Sequence, residues 1–293
     1  MSEPVPSGDL PEAGPLPDFL IIGAPKAGTS ALYVLLGDHP QVFISEKKEL
    51  DFFTLEHHRG ERWYRSRFAA GAAASARGEA TPHYLASPDA IRRAHDLVPD
   101  ARLIALLRDP VDRAYSHYWM QMAKFPDQRP SVRRFVELTR AEARDVDGYR
   151  PEAPHQRYLW NSLYGRHLDD VRSVYPADQV LAILQEDLRD APQPTLDRVC
   201  RFLGVEPGHR PAALGADVNP GTRVHSTALL RLMLRTHAWE RLPLRLGYAI
   251  DRLNRVKGYP RLPDRDRADL LAWFEPDLAR LAAAGLDTSR WTG

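Results

Sequence analysis

Residues 19–36, Phe-Leu-Ile-Ile-Gly-Ala-Pro-Lys-Ala-Gly-Thr-Ser-Ala-Leu-Tyr-Val-Leu-Leu, decide the fold. Phe19–Ile22 is a short apolar run that stops at Gly23, as a buried strand does. From Ser30 onward, Leu32, Leu35 and Leu36 recur at helical spacing. A helix start leaves unpaired N–H groups and the positive end of its dipole, so a loop wrapped onto it is an anion cradle. Gly23 and Gly28 permit backbone angles and close approaches that a Cβ forbids, and Thr29 and Ser30 add hydroxyl donors. The interval from Gly23 to Gly28 matches the phosphate-binding loop Gly-x-x-x-x-Gly-Lys-Ser/Thr, except that Thr29 stands where the lysine belongs and a lysine occurs earlier, at Lys26. An ordinary phosphotransferase sets its lysine on the β/γ-phosphates and its Ser/Thr on magnesium. Here the lysine reaches the anion from a different place. A strand–helix turn without a ligand is the competing reading of this segment alone.

A second segment, Arg102 to Ser116, repeats the logic. Leu103–Leu107 is wholly apolar, consistent with a central parallel strand buried on both faces. Arg108 follows at its C-terminal end, where open α/β sheets bind ligands. Asp109 is a good N-cap and Pro110 suits the first turn of a helix. On that helix Asp112, Arg113 and Ser116 fall within one turn of each other. An arginine at a strand end and a serine further along the helix are phosphate donors. A surface Arg108–Asp109 pair beside a solvated helix is the alternative. A third strand is expected near 180–184, giving an α/β fold with a P-loop-type central parallel sheet of four or five strands and helices on both faces.

Together, Gly23-Ala-Pro-Lys-Ala-Gly-Thr-Ser30 and Leu107-Arg-Asp-Pro-x-x-Arg-x-x-Ser116 resemble the 5′-phosphosulfate and 3′-phosphate motifs of PAPS-dependent sulfotransferases, PAPS being 3′-phosphoadenosine 5′-phosphosulfate. The resemblance is to the bacterial and Golgi heparan-sulfate branches rather than the cytosolic phenol type. It extends to Glu49-Leu-Asp-Phe-Phe53, Gly78-Glu-Ala-Thr-Pro-His-Tyr84, Ser162-Leu-Tyr-Gly165, Val180–Leu188, Trp273-Phe-Glu-Pro-Asp-Leu278 and Leu286–Trp291. It thus covers residues 18 to 293, with 221–260 least constrained.

The resemblance implies sulfuryl transfer from PAPS by in-line displacement without metal, leaving PAP as product. It implies that Lys26 stabilises charge on the departing phosphate oxygen, with Gly23, Ala27, Gly28, Thr29 and Ser30 holding the 5′-phosphosulfate. Arg108 and Ser116, with Tyr164 as a further contact, would hold the 3′-phosphate. Asp109 resembles a magnesium-binding aspartate at a strand end, but its place before Pro110 favours a cap. Glu49 falls on the residue that acts as general base in the heparan-sulfate type, a role any well-placed carboxylate or histidine can fill. Asp51 and His83 are the runners-up. A solvated Glu49 among Glu46, Lys47 and Lys48 is the competing reading, countered by its register with Phe52 and Phe53. The heparan-sulfate type carries a histidine where Asp51 stands and a lysine where Ala80 stands. Those departures point away from polysaccharide specificity and towards a small natural product or lipid-linked glycan hydroxyl. The acceptor group is a hydroxyl, less readily an amine, of a small molecule, lipid or glycan.

Composition fits one large α/β domain. The chain has 293 residues, 40 Lys+Arg against 39 Asp+Glu, and a formal net charge of +1, which gives no reason to expect a nucleic-acid partner. A single cysteine, Cys200, rules out an internal disulfide framework and suits a reducing, cytoplasmic setting. Its neighbours Leu196, Val199 and Leu203 mark it as a core residue. Residues 1–17, with acidic side chains, Pro and Gly but no apolar stretch, read as a disordered tail without signal-peptide character. No histidine spacing suggests a metal site. From Arg223 to Lys257 eight basic side chains face only Glu240 and Asp251, interleaved with leucines. This segment reads as a helical pair with leucines in the core, as a lid over the site, or as a contact with a membrane surface or a second copy of the chain. The proline-bearing stretch 126–158 is expected to shape the acceptor cleft. A P-loop kinase or a non-catalytic nucleotide-binding module is the alternative function.

Overall fold

β1 (Phe19–Gly23) is entirely buried and lies at the centre of a five-stranded parallel sheet in a computed structural model of the chain. The model describes residues 14–124, 130–147, 156–216, 222–224, 226 and 253–291. β2 (Val42–Ile44), β3 (Ala76–Ala80), β4 (Arg102–Leu107) and β5 (Val180–Leu184) complete the sheet in the order β2-β3-β1-β4-β5. Helices flank it, and the expected strands are all present. Phe19 pairs with Gly78 on one side and Arg102 on the other, while Leu103 to Leu107 pair residue for residue with Val180 to Leu184. With apolar side chains on both faces, such strands are stable only when covered above and below.

The order of the strands fixes where a ligand can bind. From β1 the chain crosses towards β2 and β3; from β4 it crosses the other way, to β5. Adjacent strands whose connections part in opposite directions leave a crevice at their carboxyl ends, and here that crevice opens after Gly23 and Leu107. The backbone beyond the paired strands is drawn together as well, Ala24 N–H donating to the Leu106 carbonyl at 2.7 Å.

By internal packing the chain divides into two compact units. The first, Met1–Arg108, Tyr164–Val218 and Arg280–Leu286, contains the sheet. Its helices include α1 (Thr29–Gly37), α2 (Gly60–Ser66) and α3 (Pro88–Leu97). The α1 residues Leu32, Leu35 and Leu36 are buried as their spacing requires, and Cys200 lies in the core beside Val199 and Leu203. The second unit, Asp109–Leu163, Asn219–Ala279 and Asp287–Gly293, is built around α4 (Pro110–Lys124) and α5 (Val132–Arg144). Tyr115, Tyr118, Phe135 and Tyr158 pack ring against ring in its core. The buried Glu142 carboxylate there accepts the N–H groups of Leu159 and Trp160 at 2.9 and 2.8 Å. Residues 1–13 of the expected tail, 126–129 and 148–155 of the proline-bearing stretch, and 225 and 227–252 of the basic leucine-rich segment lie outside the described residues.

Gly23 shows how little room the loop has. A Cβ built there falls 2.5 Å from Leu85 Cβ, an atom fixed to the backbone. Gly23→Ala is therefore expected to destabilise the fold by about 1–3 kcal/mol, the usual cost of overpacking. Urea unfolding of the two proteins measures it; equal midpoints would mean that the loop yields freely.

Candidate active site

The loop after β1 turns sharply into α1. Gly28, the N-cap of α1, has φ +100°, a left-handed conformation natural to glycine, and no side chain caps the helix. Capping side chains normally take up the first N–H groups of a helix. Here Ala31 and Leu32 N–H donate to the Gly28 carbonyl at 2.9 and 3.2 Å, and the N–H groups of Thr29 and Ser30 are the ones an external anion would take. Ala27 and Thr29 are buried, and Lys26 is half-buried at φ 72°. A Cβ on Gly28 would make only ordinary contacts with Gln185 and Leu106, so its backbone angle, rather than space, demands glycine. Arg108 leaves the end of β4 and donates from Nη1 to the Lys26 carbonyl at 3.3 Å. Arg108 thus meets the first motif's loop at the crevice, and its guanidinium shapes the turn that carries the lysine.

A second loop, Glu49 to Phe53, is strapped to the end of β3. Glu49 N–H donates to the Ala80 carbonyl at 2.9 Å, and Asp51 N–H to Thr81 Oγ1 at 3.3 Å. Glu49 (φ 63°) and Asp51 (φ 53°) both take the left-handed conformation. With Lys26 they are the three non-glycine residues at positive φ among the described residues. Such a conformation costs a non-glycine residue on the order of 1–3 kcal/mol and persists only where the surroundings impose it. The Glu49 side chain is exposed, and Lys48 Nζ lies 2.6 Å from its Oε1. Asp51 begins a tight turn, its carbonyl accepting the N–H groups of Leu55 and Glu56 at 2.8 and 2.9 Å. Phe52 and Phe53 are buried. Phe52 stacks on Tyr64 with ring centroids 4.2 Å apart, and Phe53 meets the edges of Tyr64 and Tyr84. His83 is half-buried, whereas His57 and His58 are exposed.

Beneath this loop sits Glu79, with no solvent exposure. Its Oε1 accepts the hydroxyls of Tyr64 at 2.8 Å and Tyr84 at 3.0 Å, and its Oε2 accepts Thr81 Oγ1–H at 2.6 Å. Burial pushes its pKa up to about 7, against the three hydrogen bonds, with nearby Asp51 adding a little. Burial first, and then the Glu79 carboxylate, hold Tyr64 and Tyr84 well above the ordinary phenol range, so both stay donors.

Tyr164, the first residue of α6 (Tyr164–Arg172), is wholly buried within the first unit. In the second unit Ser116 is almost completely buried on α4, its Oγ 3.3 Å from the Tyr259 hydroxyl. Asp109 acts as the cap, its Oδ1 accepting Val111 and Asp112 N–H at 2.9 Å each while Oδ2 pairs with Arg267. Arg113 is turned inward: with no exposure, it donates to Ser162 Oγ at 2.6 Å and to the Tyr158 carbonyl.

The family model for the sulfotransferase domain matches residues 16–212. The chain belongs to the sulfotransferase family. Among its relatives, the human bifunctional heparan sulfate N-deacetylase/N-sulfotransferase 3 is 34% identical over 201 residues, 66% of this chain and 23% of that protein. The mouse heparan sulfate glucosamine 3-O-sulfotransferase 6 is 33% identical over 203 residues, covering 69% and 56% of the two chains. The chain therefore spans between about a quarter and about half the length of these curated relatives. A solved sulfotransferase from Alicyclobacillus acidocaldarius superposes with a TM-score of 0.67 at 27% identity, over 95% of this chain and all of that one.

Reading the sequence alone overlooks two features. Lys48 beside Glu49 looks like one charge in a solvated run. Glu79 lies in Ala-Arg-Gly-Glu-Ala, which lacks the apolar run of a buried strand; the only signal is its position in the Glu-x-Thr-Pro-x-Tyr stretch. Glu79 has a consequence for stability. Between about pH 4.5 and 7 the folded chain keeps the Glu79 proton while the unfolded chain loses it, so stability falls as pH rises through that window. The full effect is on the order of 3 kcal/mol. Urea unfolding of wild type and Glu79→Gln across this range should show the variant gaining relative stability with pH; a difference independent of pH would contradict a buried carboxyl that titrates near 7.

Proposed function

We propose that this chain moves the sulfuryl group of PAPS to an acceptor hydroxyl and releases PAP. The observation that carries the reading is the meeting of the uncapped α1 start, Lys26 and Arg108 at the crevice between β1 and β4. The residues suit the donor: a glycine-bracketed loop whose helix N–H groups face an anion, with a lysine and an arginine flanking it. PAPS, when bound, supplies an activated sulfur whose bond to the bridging phosphate oxygen breaks. Lys26 stabilises the negative charge that grows on that oxygen, a contribution made mainly in the transition state. On this reading Arg108 and Ser116 donate to the 3′-phosphate, and Tyr164 is a further candidate contact to it. The acceptor oxygen bonds to sulfur as its proton passes to the Glu49 carboxylate. Asp51, held in the same strapped loop, orients the acceptor.

A glycan acceptor is supported by relatives named for the N- and 3-O-sulfation of heparan sulfate. The chemistry at Glu49 suits any hydroxyl that reaches it, on a glycan, a lipid or a small molecule. The single cysteine supports a reducing, cytoplasmic setting.

Two pairs of variants test the assignments. Arg108→Ala and Ser116→Ala are expected to weaken PAP binding by about 1.5–3 kcal/mol each, the range for hydrogen bonds to a charged group. Calorimetry showing parental affinity in both would remove them from the 3′-phosphate. Lys26→Ala and Glu49→Gln are expected to lower turnover of radiolabelled PAPS, Glu49→Gln by roughly 10²–10⁴-fold. The Glu49→Gln deficit should shrink with acceptor hydroxyls of lower pKa, which are already partly ionised. A deficit equal across an acceptor series would make Glu49 a binding residue instead.

A further inference from the structure

Every donor to the buried Glu79 carboxylate also holds the loop that carries Glu49 and Asp51. Thr81 Oγ1, which donates to Oε2, accepts Asp51 N–H at 3.3 Å. The Tyr84 hydroxyl, which donates to Oε1 at 3.0 Å, accepts Phe53 N–H at 3.3 Å. Tyr64, the third donor, lies flat against Phe52 at 4.2 Å and edge-on to Phe53 at 5.2 Å. Each hydroxyl has one proton to give. By taking all three, the carboxylate turns the oxygens of Thr81 and Tyr84 into acceptors aimed at residues 51 and 53 and fixes the Tyr64 ring under residue 52. An apolar side chain at position 79 would leave three buried hydroxyls to find other partners. The left-handed backbone at Glu49 and Asp51 needs such over-determined surroundings.

We propose that Glu79 is a positioning residue that sets the Glu49–Phe53 loop through three relays, Thr81 to Asp51, Tyr84 to Phe53 and Tyr64 to Phe52. It touches neither donor nor acceptor; it fixes where Glu49 and Asp51 stand. The catalytic consequence rests on Glu49 acting as the base, whereas the anchoring does not. The Glu49 N–H bond to the Ala80 carbonyl is a main-chain bond outside the relays and serves as an internal reference.

Hydrogen exchange at single-residue resolution on the full chain tests the anchoring. In Glu79→Gln, exchange at Asp51 and Phe53 should accelerate on the order of ten-fold, the effect of losing one or two ordinary hydrogen bonds. Residues 19–36 should keep their protection, and PAP should bind with unchanged affinity. Thr81→Val should accelerate exchange at Asp51 but not at Phe53, and Thr81→Ser, which keeps the hydroxyl, should restore it. With O-desulfated heparin, which offers free hydroxyls, as acceptor, kcat should fall with Thr81→Val and recover with Thr81→Ser, while KM for PAPS stays constant. Unchanged exchange at residues 51 and 53, acceleration spread over the whole chain, or equal behaviour of Thr81→Val and Thr81→Ser would each overturn the proposal. If Glu79→Gln does not fold, Glu79→Asp, which shortens the carboxylate away from the three hydroxyls, takes its place with the same expected acceleration at Asp51 and Phe53, and the threonine pair tests the Thr81 relay by itself. The exchange measurements need no acceptor, so failure of the wild-type chain to transfer sulfate would count against the proposed function and not against the anchoring.

Discussion

The parallel pairing of β1 with β4 is the constraint on which the rest of this structure depends. Two apolar strands with side chains on both faces must be buried together, and their onward connections leave in opposite directions. The crevice at their ends follows from that topology. Ala24 and Leu106 carry the pairing one step beyond the strands, and Arg108 reaches across to the Lys26 carbonyl. Lys26 and Arg108, from two parts of the sequence some eighty residues apart, are held together by backbone geometry before any side chain is chosen to contact a ligand.

Strain and polarity are concentrated around the chemistry. Lys26, Glu49 and Asp51 adopt an unfavourable backbone conformation, and Glu79 is a carboxyl without solvent. Both features cost stability: the first through local sterics, the second through desolvation. Each persists because neighbours over-determine it. Around Glu49 and Asp51 those neighbours are the main-chain bond to Ala80 at the end of β3, the bond to the Thr81 hydroxyl beyond it and an aromatic stack on Tyr64. A loop built this way presents a carboxylate in one place, which proton abstraction from an acceptor requires.

How much of this was legible in the sequence varied with the physics involved. Strands β1, β4 and β5 are continuous apolar runs, so burial on both faces could be read directly. The glycine-bracketed loop and Asp109 before Pro110 were equally plain, because local backbone chemistry dictates them. β3 was not plain: Ala-Arg-Gly-Glu-Ala takes its burial from the strands on either side, and strand preference depends on that context. Arg113 sits in a motif that reads as phosphate-binding, yet it is a buried donor to Ser162 and Tyr158. Spacing along a helix showed which residues share a turn, but not which way each one faces. Glu79 was hidden for a related reason, since its partners come from α2, from the residues after β3 and, through them, from a loop thirty residues earlier.

Selective stabilisation by PAP tests the central claim most directly. The crevice is read as a site for a nucleotide bearing both 5′- and 3′-phosphates, held by backbone N–H groups, Lys26 and Arg108. Thermal unfolding measured with PAP, with ADP, and with ADP plus magnesium separates this from a kinase-like site, because a ligand bound only by the folded state raises the melting temperature. The account predicts a clear rise with PAP in the absence of magnesium and little with ADP under either condition. Equal stabilisation by ADP plus magnesium, with none by PAP alone, would contradict it.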